Sequence, residues 1–249
     1  MTDLTKIAPL FEDWQETMIW SCLDGSMGCA LCDDENNPAS AQIALGDLCF
    51  FAGEPNDELA LKAGAVCLVP GSEEWCSCIE RVWGERVQKR LRYAIKKEPD
   101  VFNIEKLTHY TENLPDGFSL CMFDEQLVRE SFEQSWSWDF CAQFRDAEDF
   151  LARGIGVGTL YEGRLVAGAS SYSVYRGGIE IEIDTKPEFR RQGLATACGA
   201  KLILECLSRG LYPSWDAYDL RSVSLAEKLG YHLDRPYVVY ERLKEEPAE

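Results

Sequence analysis

Apolar residues recur along this chain with two periods, and a change of period marks an expected change between helix and strand. Leu10, Phe11, Trp14, Met18, Ile19 and Cys22 fall near helical spacing, which predicts an amphipathic helix over 10–22 packed on a core. The short apolar runs MGCALCDD, AQIALGDLCFFAGEP and GAVCLVPGS follow, broken by Asp, Asn, Pro and Gly, and read as strands. From Ser72 the stretch SEEWCSCIERVWGERVQKRLRYAIKKEP reads as helical, opened by a serine cap and interrupted near Gly84. The polar THYTENLPDGFSL then predicts a domain boundary near residue 115.

Beyond that boundary the pattern is more regular. DEQLVRESFEQSWSWDFCAQF and DAEDFLARG predict helices, and IGVGTLYEGRLVAGASSYSVYRGGIEIEID predicts three strands turned at EGR and RGG. A helix from Arg191 to about Ser208 carries Leu194, Ala195, Cys198, Leu202, Cys206 and Leu207 on one face. LYPSWDAYD reads as a strand, LRSVSLAEKLG as a short helix ended by Gly230, and YHLDRPYVVYERL as closing strands. The expected class is α/β with a mixed, largely antiparallel sheet. Its two domains are 1–115, a smaller α/β unit, and 116–249. No internal repeat is visible, and the only biased tract is the tail KEEPAE.

Charge narrows the function. The chain has 25 basic and 43 acidic residues, a formal charge of −18, which argues against nucleic acid or an anionic membrane surface as partner and mildly favours a cationic substrate. The N-terminus shows no basic segment leading into an apolar run, and no apolar stretch is long enough to span a bilayer, so a soluble, cytoplasmic protein is expected. Eleven cysteines fall mostly inside apolar runs, where a thiol serves as a small hydrophobe in a reducing compartment. Cys29 with Cys32 and Cys76 with Cys78 could offer four thiolates, but the second spacing is not a zinc knuckle and all four read as core, so no metal is expected. His109, read as a loop residue, and His232 have no evident partner in the sequence. No G-x-S-x-G elbow, Walker loop or zinc-hydrolase helix is found.

One stretch points to chemistry. In IEIDTKPEFRRQGLATACGAKLILECL a strand passes through a basic, glycine-containing turn into a long helix. The first N–H groups of a helix lack partners and the dipole makes that end partly positive, so RRQGLAT reads as an anion cradle. Gly193 is expected to leave room for a phosphate, Ala195 to keep the next turn small, and Arg190 and Arg191 to add charge.

The order strand, RRQGLA, long helix, strand SWDAY, helix AEKLGY resembles the coenzyme A site of the GNAT superfamily of N-acetyltransferases over roughly residues 116–249. GIEIEIDTKPEFRRQGLAT, LILECLSRGLYPSWDA, SVSLAEKLGY, RYAIKKEP and GDLCFFAG are together similar to the branch typified by the zwittermicin A resistance acetyltransferases, across nearly the whole chain. The resemblance implies acetyl-CoA as donor and an N-terminal unit that is a degenerate copy of the fold walling the acceptor side. It implies that Ile181 and Ile183 lie on the strand that holds the pantetheine arm. The N–H groups of Gln192, Gly193, Leu194, Ala195 and Thr196 would then take the pyrophosphate beside Arg190 and Arg191.

The amine must lose a proton before it attacks. Glu180, Glu182 and Asp184 alternate with Ile179, Ile181 and Ile183 and are expected on the opposite face of the strand. Glu180, ten residues before Arg190, is similar in place to the general base of the histone-acetylating branch, with Glu182 and Asp184 behind it. In many GNAT enzymes a tyrosine of the last helix protonates the leaving thiolate, but here Ala226 takes that position and Asp219 that of the preceding asparagine. Tyr218 is the candidate replacement, Ser222 or Ser224 could contact the coenzyme thiol, and water is an equal alternative. Trp215, Asp216, Trp136 and Trp138 either line the acceptor site or belong to the core. The function expected is transfer of an acetyl group to a primary amine of a small molecule, an aminated antibiotic or metabolite, by direct attack in a ternary complex. A non-catalytic coenzyme A sensor and the transfer of a longer acyl group stay open, as do monomer and homodimer.

Overall fold

Turns and caps fix the elements of the computed structural model, which describes residues 2–243; the tail KEEPAE lies outside them. By contact density the chain divides into two units. One takes in the chain up to Arg92 and again from Pro236; the other runs from Tyr93 to Arg235.

The first unit opens with α1 (Leu4–Ile7) and a 3-10 turn (Ala8–Phe11), followed by α2 (Thr17–Leu23). The single helix expected over 10–22 is therefore two pieces. Pro9 favours the tight first turn, and Glu16 is extended, so α2 restarts after a break that Trp20 bridges by donating from Nε1 to the Trp14 carbonyl at 3.1 Å. The expected apolar face survives the break: Phe11, Met18, Ile19 and Cys22 are all buried.

β1 (Cys29–Cys32), β2 (Ser40–Leu45) and β3 (Leu48–Gly53) form an antiparallel meander where strands were expected. α3 (Asp57–Lys62) crosses over to β4 (Cys67–Pro70), which is parallel to β3. α4 (Glu73–Trp83) starts at the Ser72 cap, whose hydroxyl accepts from Trp75 N at 3.3 Å. The helix expected to continue past Gly84 does not. Gly84 has φ +54°, a 3-10 turn follows, and β5 (Val87–Ile95) is a strand, because Val87, Leu91, Tyr93 and Ile95 share a period of two. Phe51, Trp75, Cys78, Ile79 and Trp83 pack in this unit's core. Cys76 and Cys78 are buried there, but Cys29 is exposed and Cys32 half-exposed on the edge strand β1, so the four cysteines are not all core.

In the second unit α5 (Ile104–Glu112) begins at the Asn103 cap and places His109 on a helix rather than in a loop. It packs on a helix of the same unit, described below, so the turn-rich stretch near residue 115 lies inside this unit, and the chain passes between units at 92–93 and 235–236. β6 (Phe118–Met122), a strand the sequence pattern had not indicated, is followed by α6 (Glu125–Glu133), a 3-10 turn (Trp138–Phe140) and α7 (Ala147–Arg153). The helix expected across 124–144 thus stops early, at an extended Gln134.

The three expected strands are β7 (Gly156–Tyr161), β8 (Arg164–Tyr175) and β9 (Gly178–Thr185). After a 3-10 turn (Pro187–Phe189) comes α8 (Leu194–Ser208), on which α5 packs. The strand expected across LYPSWDAYD is two, β10 (Tyr212–Ser214) and β11 (Asp216–Ala217), parted at Trp215. α9 (Leu220–Leu229) ends at Gly230 as expected, and one long strand, β12 (Leu233–Arg242), closes the fold.

Five strands form one sheet in the order β10-β9-β8-β7-β6, antiparallel except for the parallel β10–β9 pair. In the first unit, Tyr240 and Glu241 of β12 pair with Leu68 and Cys67 of β4. α8 sits against the five-stranded sheet: a Cβ added at Gly199 would come within 2.8 Å of Leu229 Cδ1 and 3.3 Å of Ile183 Cδ1. A larger residue there would push the Leu229 and Ile183 side-chain ends aside, and Ile183 is thereby shown to face α8.

Candidate active site

β10 runs beside β9 for three residues, Tyr212 opposite Gly178, Pro213 opposite Ile179 and Ser214 opposite Glu180. Then the strands part. Asp216 and Ala217 pair with Ala94 and Tyr93 of β5, while β9 continues to Thr185 with β8 on its other side. From Ile181 to Thr185 the vacated edge of β9 meets no strand among the described residues. Main-chain N–H and C=O groups along such an edge are available to an extended ligand short of Thr185, whose N–H and carbonyl are engaged by Asp184 and Arg190. Trp215 marks the parting; it is buried, donates from Nε1 to Ser222 Oγ at 3.0 Å and packs on Tyr231 at 5.6 Å, so it is a core residue.

The turn from β9 to α8 is held from within. Arg190 donates from Nε to the Thr185 carbonyl at 2.9 Å and from Nη2 to Asp184 Oδ1 at 3.3 Å, which occupies much of its fork. Arg191 has φ +65° and Gly193 φ +83°, so the chain swings through the left-handed region before the helix. Gly193 caps α8 without a side-chain bond, and the first bond from within the helix is Ala197 N to Gly193 O at 3.1 Å. The N–H groups of Leu194, Ala195 and Thr196 come before it and point out of the helix end. α8 therefore starts at Leu194, not at Arg191. A Cβ at Gly193 would meet nothing within 4 Å, so the space beside this glycine is open, and its φ of +83° is what a side chain would strain.

Arg191 and Gln192 are exposed at this end, Ala195 is half-buried, and Leu194 and Thr196 are buried. A further cation joins them. Lys228, in the last turn of α9, reaches Thr196 Oγ1 with Nζ at 3.2 Å and lies 5.3 Å over the Tyr110 ring of α5. No pattern in the chain pointed to it, because its relation to the cradle depends on how α9 and α5 pack on α8.

Glu180 pairs with Ser214 at the last register position before the parting, and it is only 3% exposed. Since Ile183 faces α8, alternation places Glu180, Glu182 and Asp184 on the sheet's other face. There Ser170 Oγ, opposite Glu182, donates to the Phe140 carbonyl at 2.7 Å. Glu182 is half-buried, and Asp184 serves the turn through Arg190. A β-bulge between Ser171 and Ser173 lies beside Glu180 and brings Ser173 opposite it. Burial pushes the Tyr212 phenol up to about 12 and the Tyr231 phenol well above its ordinary value, with the Glu180 charge adding to both. The Tyr231 hydroxyl donates to the Pro213 carbonyl at 2.6 Å.

The other candidates have identifiable partners. Asp219 caps α9, accepting from Arg221 N at 2.9 Å and Ser222 N at 3.0 Å; burial opposes it, yet Arg221 and these bonds hold its carboxyl below the usual range. The Ser222 hydroxyl accepts from Trp215, and Ser224 Oγ donates to the Leu220 carbonyl at 2.9 Å. Ala226 is fully buried, and Tyr218, directly after β11, is 50% exposed. Trp136 donates to Gln134 Oε1 at 3.0 Å and packs on Phe140, while Trp138 stands largely exposed against Phe132. His232 does have a partner: its Nδ1 lies 2.7 Å from Glu98 Oε2. Among the described residues no cluster of three His, Cys, Asp or Glu side chains is placed to hold a metal ion, and no helix is long and apolar enough to cross a membrane.

The family model for GNAT acetyltransferase matches residues 8–240. The chain is 24% identical to the protein named Uncharacterized N-acetyltransferase YdfB of Bacillus subtilis (strain 168), over 96% of this chain and 98% of that one. The crystal structure of a GCN5-related N-acetyltransferase-like protein from Streptococcus suis 89/1591 superposes with a TM-score of 0.93 at 44% identity, covering 96% of this chain and 98% of that one. A tandem GNAT protein from the clavulanic acid biosynthesis pathway shares the fold, with a TM-score of 0.54 at 13% identity over 96% of this chain and 92% of that one.

Proposed function

Because this chain belongs to the GNAT acetyltransferase family and is an acyltransferase, we propose that it acetylates a primary amine of a small molecule, with acetyl-CoA as donor. The observation that carries this reading is the parting of β9 and β10 directly after the Glu180–Ser214 pair, which leaves a carboxylate at the apex of an open strand edge.

The residues present fit the donor. The uncapped start of α8 offers the N–H groups of Leu194, Ala195 and Thr196 to a pyrophosphate, and open space at Gly193 lets a bulky anion approach. Arg191 and Lys228 stand near that end as cations, and Arg190 stiffens the turn. The free edge of β9 at Ile181 and Ile183 matches an extended arm that carries amide groups. When bound, acetyl-CoA supplies a thioester carbonyl open to attack by an amine.

Glu180 accepts the amine proton at a carboxylate oxygen, leaving a lone pair on nitrogen for attack. Its burial keeps bulk water away from that transfer. Tyr218 is the side chain we assign to donate a proton to the leaving thiolate, because Ala226, at the customary position, has no acid to offer. The eleven free cysteines fit a reducing cytoplasm. The zwittermicin-type resemblance puts amine-bearing antibiotics first among acceptors, and the fold-level likeness to a tandem GNAT protein supports reading the first unit as a degenerate copy.

Calorimetric titration with acetyl-CoA, followed by thiol-release assays over a panel of aminated antibiotics, polyamines and amino acids, tests the reading. Binding with turnover on at least one primary amine is expected. Binding without turnover across the panel would overturn the catalytic assignment, and turnover with longer thioesters but not acetyl-CoA would overturn the donor.

A further inference from the structure

Glu180 stands between two serines. Ser173 of β8 is directly opposite it in the antiparallel register, and Ser214 of β10 is directly opposite it in the parallel one. Opposed residues share a face with Cβ atoms roughly 5 Å apart, so the carboxylate has a hydroxyl on either hand. Both serines are fully buried, and neither Oγ makes a hydrogen bond.

The neighbouring serines of β8 differ from Ser173. Ser170 and Ser171, on the same strand and equally buried, engage the Phe140 and Ile155 carbonyls at 2.7 and 3.4 Å. Of these three β8 serines, Ser173 is the one whose hydroxyl makes no hydrogen bond. A buried hydroxyl without a partner is destabilising, and alanine would avoid that cost at either position. A rotation about Cα–Cβ is the movement either serine needs to aim its hydroxyl along the row.

We infer that Ser173 and Ser214 are positioning residues for Glu180, whose hydroxyls donate to the carboxylate, fix its orientation and hold it ionised. The inference rests on the reading of Glu180 as base. In the proton transfer Glu180 gains the proton that the amine nitrogen loses, and each serine keeps its own.

Other ionisable groups surround the row. Tyr212 and Tyr231 carry phenols raised by burial and add no charge at neutral pH, and Tyr175 on β8 is the third phenol nearby. Glu182 and Asp184 lie farther along the same face, with Asp184 paired to Arg190, and the Glu98 main-chain N–H donates to the Tyr212 hydroxyl at 3.0 Å. Asp139 belongs to the 3-10 turn packed against β9.

The full chain carrying 13C-labelled glutamate, titrated by NMR with and without acetyl-CoA, reads the Glu180 carboxyl directly. The resonance missing in Glu180→Gln assigns it. Ser173→Ala and Ser214→Ala should each raise its midpoint, by about one pH unit for the two together, since lost donors disfavour the carboxylate. Ser214→Thr, which keeps the hydroxyl, should restore the parental midpoint. Unchanged midpoints in both alanine variants, free and loaded, with the β9 amide signals intact, would overturn the inference. Glu180→Gln turning over at the parental rate with the best amine of the panel would instead overturn the base assignment itself, whatever the serines do.

Discussion

Lys228 Nζ stands 3.2 Å from Thr196 Oγ1, so the last turn of α9 delivers an ammonium to the open first turn of α8. The lysine serves two helices at once, since a cation suits the carboxyl end of α9 and reinforces the positive amino end of α8. Its placement over the Tyr110 ring adds a third element to the same spot.

Lys228→Ala should therefore weaken acetyl-CoA binding about tenfold, the effect of losing roughly 1.4 kcal/mol of charge-assisted contact. Calorimetry at low and high salt checks it: the variant should lose part of the parent's salt dependence. Equal affinity at both salts would remove Lys228 from the coenzyme site.

Gly193 and Ala195 are neighbours at the cradle with opposite demands. Gly193→Ala should cost about 1 kcal/mol of stability, because φ +83° is strained for a residue with a Cβ even where nothing crowds it. Ala195→Asp should leave the melting temperature near the parent's, since an acid in the first turn suits a helix, while cutting acetyl-CoA affinity by at least about tenfold through repulsion of phosphate. A melt paired with a titration on each variant separates the two effects.

Much of this site was legible in the sequence because its signals are local. RRQGLAT announces a turn into a helix, and IEIEI announces an alternating strand, whatever surrounds them. The parting of β9 and β10 at Trp215, the bulge that sets Ser173 opposite Glu180, and the approach of Lys228 to Thr196 all depend on register or on helix packing, which a single chain does not display. The strand β5 was missed for another reason. Its solvated residues Gln88, Lys89, Arg90 and Arg92 are also good helix formers, and paired strands overrode that propensity.

Glu180→Gln should lower kcat by about a hundredfold or more at neutral pH and leave acetyl-CoA affinity within about twofold, the pattern of a lost base. Glu182→Gln, half-buried and farther from the parting, should lose less. Rates measured to high pH sharpen the test, since amines that deprotonate in solution should partly recover turnover in the Gln variant. A parental rate at every pH would leave Glu180 without a chemical role.

Asp149 sets the acid limit of the second unit. It is 5% exposed and held by Arg153 at 2.9 Å and Arg145 at 3.3 Å, with the Arg153 bond first among the forces that keep its carboxyl well below the usual range. A carboxyl depressed in the folded state binds fewer protons there than in the unfolded chain, so its contribution is complete above an unfolded value of about 3.9 and fades as pH falls toward the folded one. Asp149→Asn, which leaves Arg153 beside a neutral group, should destabilise the protein by about 3 kcal/mol at pH 7. The loss should shrink below pH 4, where the parent has begun to lose the same contribution. Urea unfolding of both proteins between pH 3 and 7 measures this directly: the curves should converge toward the acid end, and a constant gap would mean that packing of α7, not its carboxylate charge, accounts for the stability.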